Sequence, residues 1–452
     1  MFSGHYHHRM QGDIARMFRK RDVADLKTDL WNEFVDSGLI GINDDDCSAL
    51  PNILPLSYLS TIKRVSRDIT EFVMKLLSLP ERELKAILLP SPVTDYLIDE
   101  LGVLKHRQKR ITGSLRFDMA IVGAPVPANP PKLLEVNEIG FDGTGRSSYI
   151  QETLSRIFPA LKKRLKCLDT AASEVRNMRR LGRRMVRFQY DSYNWEEEVL
   201  IMKAKRAGLD LRLVQPSAFK VDMLDDCPLL SRHRISFPDG RLCIGRDKKL
   251  PSAFELSYSF NLNDYKEAPS FFRNLVRSKT PQYSPFVTGL IAPKTILILL
   301  NDLSLRRLML GSSRAESLAP SILHAKLLSD NEDELRRLCT SYVLKHADGM
   351  GGEMVYVGKE ILKIMKRIRK KDHKHWVTHD RVKLGTMDVD GFLSRRRKVI
   401  ADLGVYVHYD WNGNSFDHFS VGGFITRATN RSFKVNVSGG GIQVPVMFDR
   451  HL

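Results

Sequence analysis

Three separated stretches of the chain carry residue types suited to holding phosphate oxygens and a divalent cation. In the first, Glu135 and Asn137 stand two apart in a strand-like run, so a carboxylate and an amide oxygen share one face. Hard oxygen donors of that kind suit Mg2+, which takes one or two carboxylates together with substrate phosphates. In the second, Lys345 closes a strand-like run, and Asp348, Gly349, Gly351 and Gly352 follow before another run begins. Glycines let backbone N–H groups close on phosphate oxygens without obstruction, and the lysine adds a point charge. In the third, Arg427 ends a strand-like run, and Ser438, Gly439, Gly440 and Gly441 form a loop after the next. A guanidinium and backbone amides of that sort bind anionic oxygens. Taken singly, each stretch also has a plainer reading as a solvated strand face, a hairpin turn or a surface ion pair.

The elements that must position these groups change in type along the chain. From Asp13 to about Leu104 the pattern is helical, with apolar residues at three- and four-residue spacing at Leu59, Ile62, Val65, Ile69, Val73 and Leu76. Residues 114–122 and 133–139 read as a strand pair, with a capping-box helix opening near Ser148 and running to Phe158. Strand and helix alternate between about 186 and 300, and from 340 onward strands with glycine loops dominate, including a run at 433–437. The expected fold class is α/β (α+β), divided into a helical region at 1–110, a central α/β region at 111–300 and a third region at 301–452.

Composition narrows the classes of function. The 452 residues are 42% hydrophobic and 27% charged, enough for two or three packed units and unlike a disordered chain. No run approaches the ~18 apolar residues of a membrane span, and the N-terminus lacks the apolar core of a secretory signal. The five cysteines lack metal-ligand spacing and read as reduced, buried thiols of a cytoplasmic protein. Lys and Arg number 71 against 53 acidic residues, a formal charge of +18, which favours polyanionic partners. Basic runs at 179–184, 366–371 and 395–398 could follow a phosphate backbone, but no aromatic platform accompanies them, so nucleic acid is not the expected partner.

Taken together, the three stretches resemble the eukaryotic-type glutathione synthetase family, a circularly permuted branch of the ATP-grasp ligases. Arg116, Phe117 and Asp118 followed by Leu134, Glu135, Val136, Asn137, Glu138 and Ile139 look like its R-x-D and I-E-x-N-T-I elements. Residues 343–352 look like its phosphate loop, while 403–407, 423–427 and 439–441 look like its closing segments, and Ala292 to Thr295 is similar to its nucleotide lysine element. The resemblance covers about residues 111–447. It implies an ATP-grasp fold with a glycine-rich lid at about 340–375, and ATP and Mg2+ as cofactors. Glu135, Asn137 and Asp348 would be magnesium ligands, and Lys294 and Lys345 would contact ATP phosphates beneath Gly349, Gly351 and Gly352. Arg427 would stabilise transferred charge, with Arg116 and Asp118 as further catalytic residues, and Ser438 to Gly441 would close over the acceptor. Residues 376–380 stand where an adenine-binding hinge is expected, and family precedent is a homodimer.

The implied reaction joins a carboxylate, small molecule or peptide, to an amine through an acyl phosphate, releasing ADP and phosphate. Two departures bear on the substrate and the metal. The family's glycine-loop glutamate is Asp348 here, and its substrate-side arginine is missing from Leu256 to Tyr265, which argues against γ-glutamylcysteine. Two other readings remain open at this point: a basic nucleic-acid-binding protein without ATP turnover, and an ATP-grasp phosphotransferase.

Overall fold

The computed structural model describes residues 28, 32, 46–48, 51–138, 143–157, 159–189, 195–217, 230–245, 250–256, 262–349, 354–389, 397–429 and 441–451. Its largest element is a nine-stranded sheet in which Ile442–Asp449, Phe416–Thr429, Arg397–Trp411, Ile111–Ala120 and Lys132–Asn137 lie side by side, each antiparallel to the next. Asn52–Pro55 pairs parallel to Ile442–Asp449, and Thr386–Val389 pairs with Arg397–Trp411. The sheet therefore takes strands from each of the three consecutive stretches into which the sequence divides. The helical reading of the first stretch needs a correction here, because Asn52–Pro55 is a strand. All four of its residues are buried, so no polar alternation marks it in the sequence.

Alternation decides what each face of the sheet carries. Leu115, Phe117 and Met119 pack with Leu403, Val405 and Val407 into the main apolar cluster, covered by the helix Leu56–Ser78. The expected apolar stripe from Leu59 to Leu76 is the buried face of that helix. The intervening residues, Ser114, Arg116 and Asp118, point to the opposite face, where Thr144–Ile157 and Thr170–Met178 pack. Gly423 allows this packing, since a Cβ there would stand 2.6 Å from Thr170 Cβ and 2.9 Å from its Cα. The first of these helices begins at Thr144, four residues before the expected cap at Ser148. Gly145 fits this start because a side chain there would collide with the Glu196 backbone, 2.6 Å away.

Two four-stranded sheets and a two-stranded one, Ile235–Ser236 with Cys243–Ile244, complete the fold. Ala253–Leu256, Arg184–Phe188, Asp210–Pro216 and Leu230–His233 form a parallel sheet in that order, with the helix Trp195–Arg206 following Arg184–Phe188. The other four-stranded sheet, antiparallel, runs Ala325–Leu327, Trp376–Asp380, Tyr342–His346, Val355–Val357. It has its own apolar cluster of Leu328, Leu335, Leu344, Ile361, Met365 and Trp376. The strand expected at 433–437 lies outside the described residues. Cys243 and Cys339 are buried free thiols and Cys167 is a half-buried one. Among the described residues no helix is long and apolar enough to cross a membrane.

Candidate active site

Strand register builds the site from the main sheet outward. Arg116 lies opposite Tyr406 on one side and Asn137 on the other; Asp118 lies likewise between Gly404 and Glu135. One strand further out, Asp402 faces Arg427. Because paired residues share a face, these rows gather on one side of the sheet. Gly404 keeps the rows close: a Cβ there would stand 2.8 Å from Ile425 Cγ2 and 3.3 Å from Arg116 Cδ, so only glycine leaves the arginine its path.

The side chains form one connected network. Asp118 accepts from Arg116 Nε at 2.9 Å, Arg427 at 2.8 Å and Asn137 Nδ2 at 3.0 Å. Arg427 also donates to both carboxylate oxygens of Asp402, at 3.1 Å and 2.5 Å. Two lysines reach the same place from outside the main sheet. Lys294, just before the helix Ile296–Asn301, pairs with Glu135 at 3.2 Å, and Lys345, on the small antiparallel sheet, lies 4.0 Å from the other Glu135 oxygen. Lys345 Nζ also donates to Leu134 O at 3.3 Å. Lys294 holds the glycine turn as well, through its backbone N–H to Ala347 O at 2.9 Å and its ammonium to Gly349 O.

Four largely buried cationic side chains, Arg116, Arg427, Lys294 and Lys345, thus meet three carboxylates, Asp118, Glu135 and Asp402. Burial works against the charged form of Glu135, yet Lys294 and Lys345 hold its carboxyl below its ordinary range. Arg116 and Arg427 do the same for Asp118, while Asp118 and Asp402 raise Arg427. Burial lowers the Lys345 ammonium despite Glu135. His379, buried and near Lys345, is pushed down to about 3 and is neutral at physiological pH. A dry, cation-rich cluster of this kind suits an anion that brings several negative oxygens at once.

The structure brings together Arg116, Asp118, Glu135, Asn137, Lys294, Lys345, Arg427 and the backbone of Gly349. Asp348 sits in the same turn, but its Oδ2 accepts from the Val93 N–H at 3.0 Å, capping the short helix Pro92–Asp95. Its Oδ1 is buried without a partner. Gly441 is buried ahead of the last strand, whereas Gly351, Gly352, Ser438, Gly439 and Gly440 lie outside the described residues. Among the described residues no three His, Cys, Asp or Glu side chains are grouped to hold a metal ion. Glu135, Asn137 and Asp348 carry oxygens of the type a hard dication takes, and Asp348 Oδ1 is a buried acceptor without a hydrogen-bond partner. At the expected hinge, Val377 to His379 are paired on both sides within the small sheet, so their ladder groups are not free for a base.

Gly404 and Tyr406 were expected only as part of the closing segment at 403–407, and Asp402 was given no role in the site. The visible signal is their two-residue spacing, which puts all three on the face of Arg116. A buried polar cluster at the carboxyl end of Arg184–Phe188 had no signal in the sequence. There Gln189 Nε2 donates to Glu197 at 3.0 Å, Arg146 pairs with Glu196 at 2.8 Å, and the Gly143 N–H donates to Glu196 at 2.7 Å. Gly143, at φ +100°, abuts the Tyr406 hydroxyl, which joins this polar cluster to the charged network.

Comparison with known proteins places this arrangement in a fold. No protein-family model matches the chain, and no curated protein matches it in sequence. Among solved structures it is similar to a glutathione synthetase-like effector from Globodera pallida in its apo form. The TM-score is 0.69 at 13% identity, covering 95% of this chain and 98% of that one. The chain accordingly has a glutathione synthetase-like fold of mixed helices and sheets.

Proposed function

We propose that this protein is an ATP-grasp ligase that joins a carboxylate to an amine with release of ADP and phosphate. The observation that carries the reading is the convergence of Lys294 and Lys345 on Glu135, beside the Arg116–Asp118–Arg427–Asp402 network. The two lysines come from separate elements and meet on a carboxylate of the main sheet, as a nucleotide triphosphate bound between the two sheets requires.

Each residue then has a task. Lys294 and Lys345 bind and neutralise phosphate oxygens, and the Gly349 turn holds them from above. Glu135, Asn137 and Asp348 would hold magnesium, which when bound supplies charge neutralisation at the transferred phosphoryl group. Arg116 and Arg427 bind and orient the substrate carboxylate and its acyl phosphate, a role for which a planar guanidinium is suited. Asp118 and Asp402 keep those guanidiniums aimed, and Asn137 fixes Asp118. The small sheet, with its own apolar cluster, excludes water from the anhydride as a lid. The amine-side substrate lies at the carboxyl ends of the parallel strands, near Gln189 and Glu197, where open parallel sheets bind ligands. γ-Glutamylcysteine is not the substrate in this reading, since the substrate-side arginine is absent.

The test is incubation of the purified chain with ATP, Mg2+ and a panel of acid and amine pairs, read by mass spectrometry for an amide together with ADP and phosphate. Lys345→Ala and Glu135→Ala should each keep the far-ultraviolet circular dichroism of the parent and lose nucleotide turnover. Unchanged turnover in both variants, or a stable phosphoester in place of an amide, overturns the reading.

A further inference from the structure

The parallel sheet has a second end, remote from the site described above. Arg184 opens the strand Arg184–Phe188 and pairs in register with Asp210, while Gln189, at the other end, belongs to the buried polar cluster. A five-residue strand separates the two ends by roughly 15 Å. At the amino end lies an open groove of about 500 Å³, lined by Arg183, Arg184, Ile201, Lys205 and Asp210 among others. Arg179 and Arg180 stand just before it on the turn Arg179–Leu181, and Arg206 follows Lys205. All six cationic side chains are exposed.

None of the six forms an ion pair with a described carboxylate. The one acid lining the groove, Asp210, is taken by Arg212 through two hydrogen bonds at 3.1 Å and 3.0 Å. Cations at the ends of Thr170–Met178 and Trp195–Arg206 complement helix dipoles, which accounts for Arg179, Arg180, Lys205 and Arg206 one by one. It does not account for Arg183 and Arg184, which stand at a strand start and add to the repulsion within a concave surface. Their positions are held by Gly182, at φ +133°, where a Cβ would collide with the Ser252 side chain. Gly182 thus fixes the backbone that carries Arg183 and Arg184, the two arginines lining the groove.

We infer that this groove is a binding site for a compact ligand carrying clustered phosphate groups, separate from the nucleotide site. Three cations, Arg183, Arg184 and Lys205, lining a hollow of ligand size call for a multivalent anion, and arginine forks match phosphate geometry. No aromatic side chain lines the groove, so it offers no platform for stacked bases. A soluble polyphosphorylated molecule and a phosphorylated lipid headgroup share this chemistry.

The experiment uses the full chain with inositol hexakisphosphate as the soluble probe in calorimetry. Phosphatidylcholine vesicles with and without a phosphatidylinositol bisphosphate serve as the lipid probe in co-sedimentation. Saturable binding is expected, weakened at least about tenfold by Arg183→Glu/Arg184→Glu and less by Lys205→Gln, with circular dichroism unchanged. Lys345→Ala should bind as the parent does. Binding of the soluble probe alone assigns a free ligand, and vesicle binding that the soluble probe displaces assigns a headgroup; either supports the site. The inference is overturned if the charge-reversed chain binds within about twofold of the parent, if Lys345→Ala abolishes binding, or if single-stranded RNA binds there and neither phosphate probe does.

Discussion

Replacing Asp118 by asparagine tests the charged network at its centre. The carboxylate accepts from two guanidiniums, at 2.9 Å and 2.8 Å, and from Asn137 at 3.0 Å, and it is 2% exposed. The substituted amide would keep one acceptor oxygen, lose the charge and aim an NH2 group toward donors. Two charge-assisted hydrogen bonds at ~1.5–3 kcal/mol each suggest a loss of about 3–6 kcal/mol. The usual cost of removing one partner from a buried ion pair, ~3–5 kcal/mol, agrees. Asp402 still pairs with Arg427, so the lower end, about 3 kcal/mol, is expected at neutral pH, a large share of the ~5–15 kcal/mol that holds a typical domain folded. Urea unfolding followed by fluorescence measures it as a shift in midpoint at constant slope. The pH dependence gives an independent check. The folded-state pKa of Asp118 is depressed, so its stabilisation is present above the unfolded value of ~3.9 and is lost as pH falls through the folded value. Parent and variant curves should therefore converge in acid. A loss below about 1 kcal/mol at neutral pH, or curves that stay parallel into strong acid, would refute the network as the organiser of this face.

Three further outcomes follow from the same geometry. Gly423→Ala should destabilise the fold by about 2 kcal/mol or more, because the new Cβ meets Thr170 backbone and side-chain atoms; thermal unfolding reads it. Glu138, beneath Thr288 Oγ1 at 3.1 Å, has its carboxyl raised by burial to about 8. Its stabilisation is full below the unfolded value of ~4.3 and is lost as pH rises toward about 8, so Glu138→Gln should flatten that decline and leave the variant more stable than the parent at alkaline pH. Arg187→Met would strand Glu174 and Glu255, which the guanidinium binds at 2.8 Å and 2.9 Å, and should cost about 3–5 kcal/mol; Arg187→Met with both glutamates made glutamine should recover part of it.

Much of the site was legible in the residues themselves. Glu135 and Asn137 share a face because a strand has a period of two, and that period needs no knowledge of neighbours. The stripe from Leu59 to Leu76 likewise declares a helix buried on one side. Lys345, singled out because it stands ahead of a glycine turn, does reach Glu135. Other parts were hidden. Asn52–Pro55 carries no alternation because both its faces are covered, and Asp348 spends one oxygen on Val93, a contact that no spacing reveals.

The sequence by itself determined the local periods, the polar and apolar faces of each strand, and the supply of cations, carboxylates and glycines. Only the tertiary structure decided that Ile111–Ala120 lies between Lys132–Asn137 and Arg397–Trp411, which brings Asp402 and Arg427 to Asp118 from the far end of the chain. Only the tertiary structure, again, carried Lys294 and Lys345 from other elements onto Glu135. The physical reason is that a strand's period is encoded within a few residues, whereas its partner and register are chosen by which pairing buries the whole apolar face, a choice made by the entire chain.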